Sequence, residues 1–176
     1  MRRISVMMTL AIIGVAALTG APALAQSADA TALTALLPAT PTGRSAADGE
    51  KVESQAAGIE VTQVSRTYTD AAGTTVELSF IDSPAMVMAS QGMAMMFTNP
   101  AMLQQMNANS PDKQFGTIGQ DGWTGWTVVD GEKGESEVIG FTDTLLVRID
   151  ISRADAKILG TFVDLVPWKK LAALYE

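Results

Sequence analysis

The sequence predicts an α+β fold: a mainly antiparallel sheet of five to six strands with helices packed on one face. Alternating apolar and polar residues, typical of half-buried strands, recur within residues 60–81 and 115–152. Apolar residues at helical spacing fill residues 85–107 and 153–175. The strand-like runs follow one another across short turns, which favours antiparallel pairing. We therefore expect a methionine-rich helix and a C-terminal helix on the same face of the sheet.

The N-terminus has the three parts of a secretory signal peptide. Two arginines precede an apolar run over residues 4–20, and a small-residue cleavage motif ends at Ala25. An uncleaved membrane anchor is the alternative, because a largely apolar run of 17 residues nearly spans a bilayer, but Pro22 and the small residues favour cleavage. We expect cleavage between Ala25 and Gln26, export to a periplasm or to the exterior, and no membrane span in the mature chain.

The mature chain is strongly acidic and contains neither cysteine nor histidine. The whole sequence has 19 Asp and Glu against 12 Lys and Arg, and two of the arginines lie in the leader, so the mature net charge is −9. Such a chain repels phosphate backbones and anionic lipids, and nucleic acid is therefore not an expected partner. Without cysteine and histidine, thiol chemistry, histidine-dependent catalytic triads and ordinary zinc sites are excluded.

We expect the mature chain to hold one folded domain. Residues 27–38 predict a short helix capped by Ser27 or Asp29. Residues 38–58 are rich in Pro, Gly, Ser, Ala and charge and have little to bury, which predicts a flexible linker or a loop that runs along the surface. The expected division is 1–25 for the signal peptide, 26–58 for the helix and linker, and 59–176 for the α+β domain.

The strands of that domain are predicted from alternation and from the turns that separate the runs. A hairpin is expected around Asp70 and Gly73. A final helix capped by Ser152 or Asp155 should end before Pro167, because a proline ring clashes with the preceding helical turn. After the hairpin, the strand-like runs lie near residues 115–118, 123–129, 136–141 and 144–152.

The methionines are concentrated in one segment. Residues 86–106 contain seven of the ten, and the other three lie in the leader. A helix-start signal precedes Ala85, so residues 85–97 and 101–107 are predicted as two helices separated by a break. At 100° per residue the apolar side chains of the first helix point to almost every side, so one contact with the sheet cannot bury them all.

Three interpretations of this surplus apolar surface are open. The helix can be buried on both sides, with methionine filling irregular gaps. It can instead offer one face to a protein partner or an apolar ligand, because methionine repacks against different shapes. The third interpretation is a Cu(I) site, since soft thioethers select Cu(I), and the methionines that share the most suitable side are Met86, Met93 and Met96.

Two tryptophans complete the predicted recognition surface. Trp123 and Trp126 are three residues apart on a strand, so they point to opposite faces; one is expected in the core and the other exposed or covered by a helix. An exposed tryptophan would be a good anchor for a partner. The predicted contact residues are Met86, Met93, Met96, Phe97, Trp123 and Trp126.

The function predicted from the sequence is an exported, non-catalytic binding or interaction module without a resident cofactor. A Cu(I)-binding protein that uses the same methionines is the alternative. A carboxylate-based enzyme is the third class. It has little support, because Asp143 and Asp150 lie at opposite ends of one predicted strand. The acidic residues 130–137 are interpreted as the solvated tip of a hairpin.

Overall fold

The computed structural model describes residues 28–56 and 59–175, and the predicted signal peptide lies outside them. An antiparallel sheet forms the centre of the fold, which confirms the α+β class. In chain order the elements are α1 (Ala30–Ala35), β1 (Arg44–Asp48), β2 (Val52–Ala56), β3 (Ile59–Asp70), β4 (Thr75–Asp82), α2 (Pro84–Thr98), α3 (Pro100–Asn109), β5 (Lys113–Gln120), β6 (Trp123–Asp130), β7 (Glu135–Phe141), β8 (Leu145–Ile151), α4 (Ala156–Leu165), α5 (Trp168–Ala172) and a final 3₁₀ turn (Ala173–Tyr175).

Within residues 28–56 and 59–175 the sheet has eight strands, and the prediction of five to six is wrong. Their order is β1-β3-β4-β8-β7-β6-β5, and β2 pairs with β3 as well. β1 pairs with residues 66–70 of β3 and β2 with residues 59–63, so the two short strands follow one another along one edge. Neighbouring strands are antiparallel throughout the described chain.

The two additional strands, β1 and β2, lie in the segment that was predicted as a linker. Most of their described side chains are exposed, so the segment shows no alternation that a sequence pattern could detect. Backbone pairing with β3 holds them instead. Polar contacts add to this pairing: Arg66 forms an ion pair with Asp48 and donates a hydrogen bond to the Pro38 carbonyl at 3.0 Å, and the Gly49 N–H donates to the Ser65 carbonyl at 2.9 Å.

The first face of the sheet packs against α1, α4 and α5. Alternate residues of β8, Leu145, Val147 and Ile149, point into this core with Phe162 of α4 and Leu171 of α5. Of the two predicted caps, Ser152 and Asp155, it is Asp155 that caps α4, by accepting hydrogen bonds from the backbone of the first turn. This layer is the main hydrophobic core.

The second face carries the methionine-rich helices. Leu146 of β8, Ile139 of β7 and Ile81 of β4 point to this side and pack with Val87 and Phe97 of α2. The prediction that the methionine-rich helix and the C-terminal helix share one face is therefore wrong. The central strands are apolar on both sides along part of their length, so each side requires its own cover. Within the described residues, no helix is both long and apolar enough to cross a bilayer.

Candidate functional site

Six methionines of α2 and α3 form a largely exposed surface that we call the Met-rich face. The side chains of Met88 and Met95 are 72% and 74% exposed. The other four are between 41% and 46% exposed, and Met106, at the end of the segment, is partly buried. The members of the face are Met86, Met88, Met93, Met95, Met96 and Met102.

The buried side of α2 contains no methionine. Its stripe consists of Val87, Ser90, Ala94 and Phe97, which recur at three- and four-residue spacing on one side of the helix. The small side chains of Ser90 and Ala94 let the helix axis lie close to the sheet. The methionines are consequently left on the outer side, and methionine does not fill gaps in the core at this helix.

The three aromatic residues predicted as contact residues lie in the core. The ring of Phe97 stacks on Trp126, with centroids 5.0 Å apart, and Trp126 also contacts Phe141. On the other face, the Trp123 ring NH donates to the Trp168 carbonyl at 3.1 Å. Phe97, Trp123 and Trp126 are only 7%, 2% and 4% exposed. Of the predicted contact residues, the structure therefore exposes only the three methionines.

This surface also lacks charge, a property that is visible in the sequence but was not used in the predictions above. Residues 83–111 contain no charged side chain, although 18% of the whole chain is charged. Helices on the surface of a monomer usually carry charge on their outer side. The outer side of α2 is uncharged and largely apolar, whereas that of α3 is uncharged but carries the exposed amides of Gln104, Gln105 and Asn109 beside Met102. An exposed apolar surface such as that of α2 is typical of an interaction surface.

A shallow groove of about 280 Å³ adjoins the Met-rich face. Gln91, Met95 and Thr98 of α2 form one wall. The other wall lies at the end of the sheet and includes Thr124, Thr142 and the carboxylate of Asp143. The methionine side chain with the greatest exposure thus borders a concavity. A side chain of a bound molecule would find room in this groove beside Met95.

The three methionines predicted to bind Cu(I) are not equally spaced. Met86 and Met93 are seven residues apart, which places them about 10 Å from each other along the helix axis. Met93 and Met96 are three residues apart and are neighbours on the helix surface. Among the described residues, no group of three or more histidine, cysteine or acidic side chains is placed to hold a metal ion.

The part of the second face that α2 and α3 leave open is a polar cleft of about 590 Å³. Glu77 of β4, Asp150 of β8 and Glu137 of β7 stand side by side across it, because the strand register pairs Asp150 with both glutamates. Arg148 forms ion pairs with Glu137 at 3.1 Å and with Asp150 at 2.8 Å. The sequence pattern suggested only Asp143 as a companion of Asp150 and missed its neighbours on other strands.

Burial raises the pKa of Glu137, and the neighbouring charge of Asp150 acts in the same direction. The guanidinium of Arg148 opposes this increase. A carboxyl group with a raised pKa beside a second carboxylate can exchange protons. Here, however, Glu137 and Asp150 are both paired with Arg148. These three side chains therefore form an ion-pair network that links β7 and β8.

Replacement of Glu137 by glutamine should change how stability depends on pH. The folded-state pKa of Glu137 lies above its ordinary value of about 4.5, so folding favours the protonated form. Protonated Glu137 therefore stabilises the folded state fully below about pH 4.5, and this contribution to stability is lost as the pH rises through the raised pKa. Glutamine has no carboxyl group to titrate, so only the native chain loses this contribution. As the pH rises through this interval, the free energy of unfolding of Glu137→Gln, measured with urea, should therefore increase relative to that of the native chain.

Glu135→Gln is the control for this experiment, because it removes the same charge from an exposed position of the same strand. A constant difference between Glu137→Gln and the native chain over the whole pH interval would contradict a raised pKa for Glu137 in the folded protein.

The structure thus presents two surfaces on one side of the sheet, the apolar Met-rich face and the polar cleft. The Met-rich face is exposed without a covering element of the described chain, whereas ion pairs connect the charged side chains in the centre of the cleft. Comparisons of the chain with models of protein families, with curated protein sequences and with solved structures give no match.

Proposed function

We propose that this protein is an exported, non-catalytic binding module whose Met-rich face holds an apolar segment of a protein partner. One observation carries the proposal: six methionines are exposed on α2 and α3, while the buried stripe of α2 uses other residues. Exposed apolar surface is unfavourable in water, and its removal from water on binding stabilises the complex. The exposure of the face thus favours the interpretation in which the methionine-rich helix offers one face to a protein partner or an apolar ligand.

The chemistry of the face indicates what kind of partner fits. Residues 83–111 carry no charge, so attraction between charges contributes little at this surface. Methionine side chains are unbranched and flexible, which suits partners of differing shape. The proposed partner segment is therefore apolar where it meets the methionines, and the groove beside Met95, which Thr124, Thr142 and Asp143 also line, has room for one of its side chains. Its affinity should change little with salt concentration, since salt screens charges rather than apolar contacts.

Introduction of two charges on the Met-rich face should weaken partner binding and preserve the fold. In Met88→Glu/Met95→Glu, binding would bury two unpaired carboxylates, and we expect the Kd to increase by at least about tenfold. A photo-crosslinking residue at Met96 in the exporting cell identifies the partner. The Kd of the purified pair is then measured for the native chain and for the variant.

The matched control is Ala156→Glu/Thr161→Glu, which adds the same charge at exposed positions of α4 on the other side of the sheet. It should bind the partner as the native chain does. Equal Kd values for the native chain and Met88→Glu/Met95→Glu, with both proteins folded, would refute the proposal. An apolar small molecule, rather than a protein, crosslinked at Met96 would change the class of ligand and retain the site.

Cu(I) binding is the second candidate, favoured by the adjacent and exposed thioethers of Met93 and Met96. A titration with a chromophoric Cu(I) competitor tests it. Binding tighter than the order of micromolar, lost in Met93→Leu/Met96→Leu, would support copper. Weaker binding, or binding that the leucine variant retains, would exclude these two methionines as the copper site.

A further inference from the structure

We propose that the Met-rich face is also an oxidation site: conversion of its exposed thioethers to sulfoxides releases the bound segment and leaves the fold intact. The release step rests on the proposed function, whereas the site of oxidation and the intact fold do not. The modifying agent is a two-electron oxidant of the peroxide class.

The placement of sulfur in the chain supports this proposal. Beyond the predicted leader, every sulfur atom belongs to a methionine of residues 86–106, since the chain has no cysteine. Six of these seven side chains are exposed. A dissolved oxidant therefore reaches them in the folded, unbound protein, and their reaction requires no local unfolding. A face that is oxidised while the segment is dissociated cannot bind the segment again, so the complex is lost.

The stripe that attaches α2 to the sheet contains no sulfur, because it is built from Val87, Ser90, Ala94 and Phe97. Sulfoxides on the outer side of α2 would point into water, where the added polar oxygen is solvated. Oxidation usually damages a core that contains methionine. This arrangement separates the oxidisable side chains from the core contacts of the same helix.

The reaction with hydrogen peroxide is balanced without a further reactant. A lone pair of the thioether sulfur attacks one peroxide oxygen, and the O–O bond breaks as the S–O bond forms. The sulfur loses two electrons and keeps that oxygen as a sulfoxide. The second oxygen takes up these electrons and leaves as water, with both hydrogens of the peroxide. A methionine sulfoxide reductase would reverse the change.

Sulfoxidation replaces an apolar surface with a strongly polar one. A bound apolar segment offers the new oxygens no hydrogen-bond donor, so a complex would bury them unpaired. With Met88 and Met95 both oxidised, we expect the Kd for the segment to increase by at least about tenfold. The Met-rich face then acts as an oxidant-sensitive contact.

Exposure determines the expected order of reaction. Met88 and Met95, which are exposed by more than 70%, should be oxidised first. Met106 is partly buried against the apolar residues between α2 and the second face of the sheet, and it should react last. A time course of the mature protein in hydrogen peroxide, with peptide mass spectrometry, measures the rate at each methionine. Thermal unfolding measured on the same samples should remain cooperative with little change in Tm.

The polarity of the face is measured without any partner, by the fluorescence of an apolar dye that binds exposed hydrophobic surface. Dye binding should fall as Met88 and Met95 are oxidised. Oxidation of Met106 as fast as Met95, or loss of cooperative unfolding along with the first sulfoxides, would overturn the proposal. Unchanged dye binding after oxidation of both exposed methionines would do the same.

The crosslinked partner tests the release step separately. Peroxide should weaken its binding to the native chain, and by a smaller factor in Met88→Leu/Met95→Leu, each protein being compared with its own untreated sample. An oxidised protein that binds the partner as tightly as before would refute release, while the proposed function would stand. The expected oxidation order with no partner found would refute the proposed function and support the oxidation site.

Discussion

Phe97→Ala should lower the free energy of unfolding by about 3–5 kcal/mol, the cost of removing a buried aromatic ring. The ring of Phe97 stacks on Trp126 at 5.0 Å and lies 6.0 Å from the ring of Phe115, so its removal leaves a cavity between α2 and the sheet. Urea unfolding of the purified variant, followed by tryptophan fluorescence, measures the loss.

Met96→Ala is the matched control, because Met96 is the preceding residue of the same helix and lies on the exposed side. We expect its free energy of unfolding to stay within about 0.5 kcal/mol of the native value, as for most surface substitutions. Similar losses in the two variants would contradict the orientation of α2, and the Met-rich face would then not be exposed.

Gly125→Ala should destabilise the protein by about 3 kcal/mol or more, or prevent folding. Gly125 of β6 lies opposite β7, and a Cβ atom there would be 1.9 Å from the Ile139 carbonyl oxygen and 2.8 Å from the Gly140 Cα. Both neighbours are backbone atoms, so the two strands would have to separate, and such overpacking is costly. The yield of folded protein and its urea midpoint provide the measurement.

Gly119→Ala is the control for the glycine substitution. Gly119 lies on the neighbouring strand β5, and a Cβ atom at this position would have no heavy atom within 4 Å. Its urea midpoint should remain close to that of the native chain. A Gly125→Ala variant as stable as Gly119→Ala would show that β6 and β7 are not paired at this register.

The order of most elements follows from local patterns. The predicted strands from residue 60 onwards are present, and the methionine-rich segment forms two helices separated at Asn99, close to the predicted break. Asn99 ends α2, and its side chain caps α3 by accepting hydrogen bonds from Ala101 and Met102. Such signals act over a few residues, so a sequence pattern contains them.

Other features depend on contacts between distant segments. The strands β1 and β2 form because β3 offers them a backbone edge to pair with. Their own exposed side chains show no pattern that would predict a strand. The row of Glu77, Asp150 and Glu137 depends on the register of three strands. A one-residue shift in that register would move each side chain to the other face.

The sequence by itself determined that an uncharged helical segment, rich in methionine, has more apolar surface than one contact with a sheet can cover. Only the tertiary structure decided which side of α2 is buried. When a helix is apolar on almost every side, the spacing of its apolar residues does not show which side faces the core. Contacts with the sheet determine which side of α2 is buried, because Ala94 permits close approach and Phe97 stacks on Trp126. Both contacts exist only once β5, β6 and β7 are assembled.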